Sequence, residues 1–222
     1  MPDYKKSWSK QTQQIIDLAN NLENINLEKP LGENDKSPGI FLLTNSLQTL
    51  SILAKYLEAG LNPNIKDSED IPLLMNIFMY YSPNQEEATN LIKLLLSKGA
   101  DLFALITDYF TQKKPTRLQL PLFHWLVYWT ENSDWLIWLI KENYADINAR
   151  DPYNATILHH YAHKGDIENY SIFLSLGADP NIKSSIEENQ KTLFTFMNLP
   201  IPEYVGKTPN QLISLNREEY QN

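Results

Sequence analysis

Apolar runs recur along the chain, and each leads into a loop of one kind. The runs are Ala54–Leu57 (AKYL), Leu91–Leu96 (LIKLLL), Trp135–Ile140 (WLIWLI) and Ile172–Leu174 (IFL). The loops that follow them are Gly60–Asn64 (GLNPN), Gly99–Asp101 (GAD), Tyr144–Asn148 (YADIN) and Gly177–Asn181 (GADPN). Apolar residues at helical spacing before a glycine predict a helix that ends there, because glycine supplies the positive φ of a left-handed cap. The Asp or Asn that follows can hydrogen-bond its own turn backbone. Asn143 stands near one glycine site, and asparagine also tolerates that cap.

The Asp/Asn positions step by 101 − 62 = 39, 146 − 101 = 45 and 179 − 146 = 33. The two long steps predict insertions. One is a lengthened helix connection over Tyr81–Ala88, and the other an enlarged finger over Thr107–Arg117. A second helix in each unit is predicted to open at Ser37-Pro38, Ile71-Pro72, Leu120-Pro121 and Thr156-Ile157, with a degenerate opening at Thr192-Leu193. Proline suits the first helical turn, where no intrahelical N–H bond is lost, and Ser37 and Thr156 are expected N-caps. Asp35–Pro38 and Gly206–Pro209 read as further openings. Trp8, Ile15, Ile16, Leu18 and Leu22 predict an amphipathic helix over about Ser7 to Leu27, suited to capping the array.

The fullest unit, Asn154 to Asn181, resembles the ankyrin repeat, whose inner helix opens with a Thr-Pro-Leu-His-like tetrad; here it is Thr156–His159. The other openings depart from it as Ile71–Leu74 and Leu120–Phe123, and only the 33-residue step matches the ankyrin period of about 33. The resemblance implies an all-α ankyrin-repeat solenoid of about four to five irregular helix-turn-helix units with an N-terminal capping helix. Its expected divisions are a cap over 1–34, repeats over 35–64, 65–103, 104–148 and 149–181, and an irregular repeat with a C-terminal cap over 182–222.

Composition narrows the chemistry. A formal charge of −8 argues against a nucleic-acid or anionic-membrane surface and suits a protein partner with a basic patch. The chain has no cysteine, which excludes thiol catalysis, Cys-based zinc sites and disulfides, and is compatible with a reducing compartment. No apolar run approaches the ~20 residues of a membrane helix, and the first residues lack a signal-peptide pattern. There is no Gly-x-Ser-x-Gly, phosphate-cradling loop or His-Glu-x-x-His. The expectation is therefore a non-enzyme with no cofactor.

His159 and His163 share the i, i+4 spacing of a zinc pair, but His159 falls on the tetrad, where the resemblance implies a structural histidine, and no metal is expected. In ankyrin arrays the residue after the tetrad faces the concave surface. That residue is Phe41, Met75, His124, His160 or Phe196 in successive units, with Thr44, Phe78, Val127 and His163 three residues on. This stripe is either a peptide groove or buried stacking. Trp135 and Trp138 read as core, whereas Tyr128 and Trp129 are expected at the surface, as hot-spot types. Lys113, Lys114 and Arg117 form the basic cluster of the enlarged finger, either solvated or set for an acidic partner. Asp67, Glu69 and Asp70, and Glu187 with Glu188, read as solvated tips. Phe41, Met75, Phe78, Lys113, Lys114, Arg117, His124, Tyr128, Trp129, Tyr153, His160 and His163 are the candidate partner-binding residues of an expected monomer.

The Lys-, Asn- and Ile-rich sequence and irregular repeats look similar to ankyrin effectors that intracellular bacteria deliver into host cells. That resemblance implies a bacterial protein secreted to bind a host protein, with a polar C-terminal signal that Leu215–Asn222 fits. The alternative is a bacterial cytoplasmic ankyrin protein that inhibits or scaffolds a cognate enzyme or toxin.

Overall fold

The computed structural model describes residues Gln13, Asp17, Phe41, Leu43, Thr44 and the segments 46–107, 119–129, 133–191 and 201–219, with the side chains of 107, 119, 129 and 216–219 excepted. Contacts divide the chain into two compact bodies, 1–102 and 103–222. Gln13 and Asp17 are helical and joined side chain to side chain at 2.8 Å. The apolar face expected for that helix lies outside the described residues.

In the first body, α1 (Leu47–Glu58), α2 (Leu73–Tyr80) and α3 (Glu86–Ser97) pack with α1 lying on α3. Glu86 and Glu87 occupy the first turn of α3, where the helix dipole favours negative charge. Leu53, Leu57, Leu73, Ile77, Leu91, Ile92 and Leu95 make the core. Residues 81–85 join α2 to α3, against two residues (Gly165 and Asp166) in the later pair, so the lengthened connection is present. Gly60, Gly99, Gly177 and Asn143 all take positive φ at the helix ends, as their loops required.

In the second body, strands β1 (Leu105–Thr107) and β2 (Gln119–Pro121) pair antiparallel with Ile106 opposite Leu120. They form the base of a hairpin finger whose connection, with Lys113, Lys114 and Arg117, lies outside the described residues. Next come α4 (Leu122–Trp129), α5 (Asp134–Lys141), α6 (Ile157–Lys164), α7 (Ile167–Ser175) and α8 (Pro209–Glu219). α6 packs against α4, α7 and α8. The last inner-type helix thus opens at Thr208-Pro209, so Gly206–Pro209 is a true opening. Thr192-Leu193 lies outside the described residues.

The same hydrogen bonds recur in each helix pair and set the register. Asp67 N–H donates to the Ile71 carbonyl (3.0 Å), Asp151 to Ala155 (2.8 Å) and Ser184 to Lys207 (3.1 Å). Ile106 and Leu120 are the corresponding strand partners. The finger spans 71 − 67 = 4 and 155 − 151 = 4 steps where regular, but 120 − 106 = 14 and 207 − 184 = 23 elsewhere. Two fingers therefore carry about 10 and 19 extra residues by subtraction. Neighbouring loops are also tied, since Asn64 Oδ1 accepts from Asp101 N–H (2.8 Å) and Asn148 Oδ1 from Asp179 N–H (2.9 Å).

Candidate functional site

That register corrects the expected tetrads by one residue. Pro72 does not open the helical turns; it sits extended at the N-cap (φ −63°, ψ 148°), and α2 begins at Leu73. Pro121 likewise ends β2 before α4 begins at Leu122. Both match Thr156, the N-cap of α6. Met75 and His124 thus stand at the place of His159, and the residue after the tetrad is Asn76, Trp125 or His160.

His159 holds its helix start and the next finger together. Its Nδ1 accepts the Thr156 N–H (3.0 Å), and its Nε2 donates to the Lys207 carbonyl (3.2 Å). The Thr156 hydroxyl completes a capping box. Thr208 and Gln211 repeat this in α8: Thr208 N–H donates to Gln211 Oε1 (2.9 Å), and Gln211 N–H to Thr208 Oγ1 (3.3 Å). His124 Nε2 donates to the Ala149 carbonyl at 3.1 Å. Burial first, and then the neighbouring His160, hold His124 down at about 4; burial does the same to His159.

The next residue reaches back to its own finger in α2, α4 and α6. Asn76 Nδ2 points to Asp67 Oδ2 at 3.5 Å, Trp125 Nε1 donates to the Ile106 carbonyl at 3.0 Å, and His160 Nε2 donates to Asp151 Oδ2 at 3.1 Å. Asp67 and Asp151 spend their other oxygen on finger N–H groups, those of Glu69 and Ile71 (both 2.9 Å) and of Tyr153 and Ala155 (2.8 and 2.9 Å). The fingers turn through left-handed Asp70 and Asn154 at the matching position.

Around His160 this grammar grows into a polar cluster. With Nε2–H committed to the carboxylate, Nδ1 accepts from the Tyr128 hydroxyl at 3.0 Å. The line Tyr128–His160–Asp151 has the form of a proton relay. Burial works to raise the Asp151 pKa, but the His160 hydrogen bond, the charges of His160 and His124 and the Ala155 N–H outweigh it and hold it low. Burial and the Asp151 charge push Tyr128 up. Tyr204, on the long 184–207 finger, lies over the cluster with its ring centre 5.2 Å from His160, 5.7 Å from His163 and 6.2 Å from Tyr153. The Tyr204 hydroxyl and His124 Nδ1 are buried with no hydrogen-bond partner among the described residues.

His124 and His160 are 0% exposed, Asp151 5% and Tyr204 1%. The line is enclosed, and its hydrogen bonds join finger to helix. Among the described residues no group of His, Asp and Glu could hold a metal ion.

The candidate partner-binding residues separate accordingly. Phe41, Met75, Phe78, His124, Tyr153 and His160 are buried, and so are Thr44 and Val127. The concave-groove reading is corrected to core: Met75 and Phe78 are interior positions of α2, and the histidines are bonded to backbone and carboxylate. Tyr128 is half-buried, its hydroxyl turned inward to His160. His163 alone of these keeps an exposed face. Lys113, Lys114, Arg117, Phe196 and the Trp129 side chain lie outside the described residues. Asp151, Trp125 and Tyr204 were missed; a carboxylate five residues before Thr156 was a readable signal for the first, whereas an insertion hid the other two.

No family model matches the sequence, and no curated protein matches it either. Solved structures do. One is a chain of the complex between the Bdellovibrio bacteriovorus predatory endopeptidase Bd0816 and immunity protein Bd3460, with TM-score 0.54, 15% identity, and coverage of 96% of this chain and 92% of that one. Another is EF0377, an ankyrin repeat protein, with TM-score 0.50, 12% identity, and coverage of 96% and 95%. At such identities the likeness speaks to fold: this largely helical chain has an ankyrin-like fold.

Proposed function

We propose that the chain is a non-enzymatic protein-binding module, and that the two enlarged fingers of the second body carry its recognition surface. The observation behind this reading is where the extra residues go. The helix starts and the backbone pairs that close the fingers are kept, while about 10 and 19 residues are added between 106 and 120 and between 184 and 207. Insertions that spare the scaffold and lengthen exposed connections are the usual carriers of binding specificity. Lys113, Lys114 and Arg117 would give the first finger a basic contact on an acidic chain, and His163 with its exposed face would sit beside the second. The enclosed Tyr128–His160–Asp151 line supports the non-enzymatic part of the reading.

Two settings fit such a module. A bacterial effector that engages a host protein accords with the Lys-, Asn- and Ile-rich sequence. Inhibition of a cognate bacterial enzyme accords with the fold likeness to a chain from an endopeptidase held with its immunity protein. The discriminating experiment is capture by the full chain from host-cell and from bacterial extracts, repeated with residues 108–118 replaced by Asn-Gly and with Lys113, Lys114 and Arg117 changed to Glu. Either finger variant should lose the captured partner at least tenfold at an unchanged melting temperature. Equal capture by wild type and both variants would remove the first finger from recognition.

A further inference from the structure

The two described limbs of the long finger, 184–191 and 201–207, are held to the second body by a small set of contacts. Ser185 N–H donates to the Tyr153 carbonyl (2.9 Å), Asn154 Nδ2 to Ser185 Oγ (2.7 Å) and Gln190 Nε2 to the Pro152 carbonyl (3.4 Å). Gly206 N–H donates to the Ser184 carbonyl (3.2 Å), and Ser184 Oγ bonds both the Tyr204 and Lys207 carbonyls. Within the 201–207 limb Tyr204 is the large buried side chain; it covers His160 and packs against one side of His163, whose other face is exposed.

We propose that Tyr204 is an acid-released latch: protonation of His163, whose ring packs edge-on against Tyr204, frees the 201–207 limb from the second body while α4, α6 and α8 stay folded. The cluster holds four imidazoles against one buried carboxylate. His160 faces Asp151 from the regular finger, Tyr128 and His124 from α4, and Tyr204 from the long finger. His163 faces Glu203 and Lys207 of the long finger and His160 of its own helix. Asp166, the N-cap of α7, lies against Lys164 and Tyr161 instead, and α8 brings no titratable side chain among 209–215. A charge on His163 meets the like charge of Lys207, and the Tyr204 ring shuts water out from one side of the imidazole. Lifting the limb takes the Tyr204 ring and the Lys207 charge off a protonated His163 without unstacking a helix, which makes it the low-cost local opening.

The sign follows from linkage. Burial, with Lys207 and His160, lowers the His163 pKa in the closed state, against a raising pull from Glu203. Protons therefore favour the open state as pH falls below the ordinary histidine value of about 6.5. Glu203 and Lys207 act on His163 in opposite directions, so neutralising each must move the opening in opposite directions.

The test is amide hydrogen exchange of the full chain, corrected for intrinsic rates, from pH 7.5 to pH 5. Exchange across 201–207 should rise at least tenfold at pH 5, while α4 and α6 stay protected. Glu203→Gln should move the midpoint to higher pH and Lys207→Gln to lower pH, and Tyr204→Ala should leave the limb open throughout. Protection of 201–207 unchanged at pH 5, loss in step with α4 and α6, or a midpoint indifferent to both charge variants would each overturn the latch. These outcomes do not depend on what the protein binds.

Discussion

Trp125 donates its indole N–H to the Ile106 carbonyl at 3.0 Å, in the place where His160 reaches the Asp151 carboxylate. Three residue types thus make one contact, since Asn76 points to Asp67 in the same way. What the fold fixes here is a donor of suitable reach on the second residue after the first helical turn's opening pair. The acceptor changes from carboxylate to backbone carbonyl where the finger becomes a strand.

Trp125→Phe isolates that contact, because it keeps an aromatic ring and removes the N–H. The Ile106 carbonyl is left without this donor at a buried site, at a cost of about 1–3 kcal/mol. The loss should be local as well. Exchange at 105–107 and 119–121 should quicken more than at α6, and equal quickening in both would mean that the ring's packing, not its bond, is what matters.

Asp151 accepts three hydrogen bonds from two elements, so its loss is expected to be the most damaging single polar change in the second body. Asp151→Ala strands two finger N–H groups and the His160 Nε2–H together, and should cost about 3–5 kcal/mol. His160→Asn should cost clearly less than His160→Ala, because an amide already fills this role at Asn76. Urea unfolding followed by tryptophan fluorescence checks both, as four of the five tryptophans lie in the second body. A His160→Asn variant no more stable than His160→Ala would break the equivalence of the two positions.

The helix ends and the repeat loops were legible in the sequence because they depend on local chemistry. A glycine at positive φ, an Asx side chain on its own turn and a capping threonine each act within four residues. The register of α2 and α4 was less legible, since proline fits both the N-cap and the first helical position, and only the finger bonds decide between them. The stripe of Phe41, Met75 and Phe78 was ambiguous for a related reason. A one-residue shift turns a helix by about 100° and carries a surface position into the core. The Tyr204 contacts were out of reach, because 204 − 160 = 44 residues and an insertion separate the ring from its neighbours.

Stability should fall with acid over a defined window. His124 and His159 titrate at about 4 when folded and at about 6.5 when unfolded. A depressed folded pKa means that the neutral form is the folded one, so the stabilising contribution is full above pH 6.5 and is lost towards pH 4. At pH 5 each histidine should have cost on the order of 2 kcal/mol relative to pH 7.5. Asp151, held low, keeps its contribution across this range and gives it up only below the ordinary carboxylate value. Urea midpoints measured at pH 7.5, 6 and 5 should decline steadily, and a flat profile would contradict the buried neutral imidazoles.

Phe78 decides between groove and core in the first body. It is 1% exposed on α2, where Leu74 and Ile77 are buried as well. Truncation to alanine removes most of an aromatic side chain from a packed site and should cost about 3–5 kcal/mol. Phe78→Asp should prevent folding of the 1–102 body, since an unpaired carboxylate has no partner there. Met75→Leu, which preserves volume, should cost under about 1.5 kcal/mol. Had these side chains lined a groove, Phe78→Asp would leave the melting temperature unchanged and reduce partner binding alone. Circular dichroism melts of the three variants separate the outcomes, and a Phe78→Asp chain that melts with the wild type would return the residue to the surface.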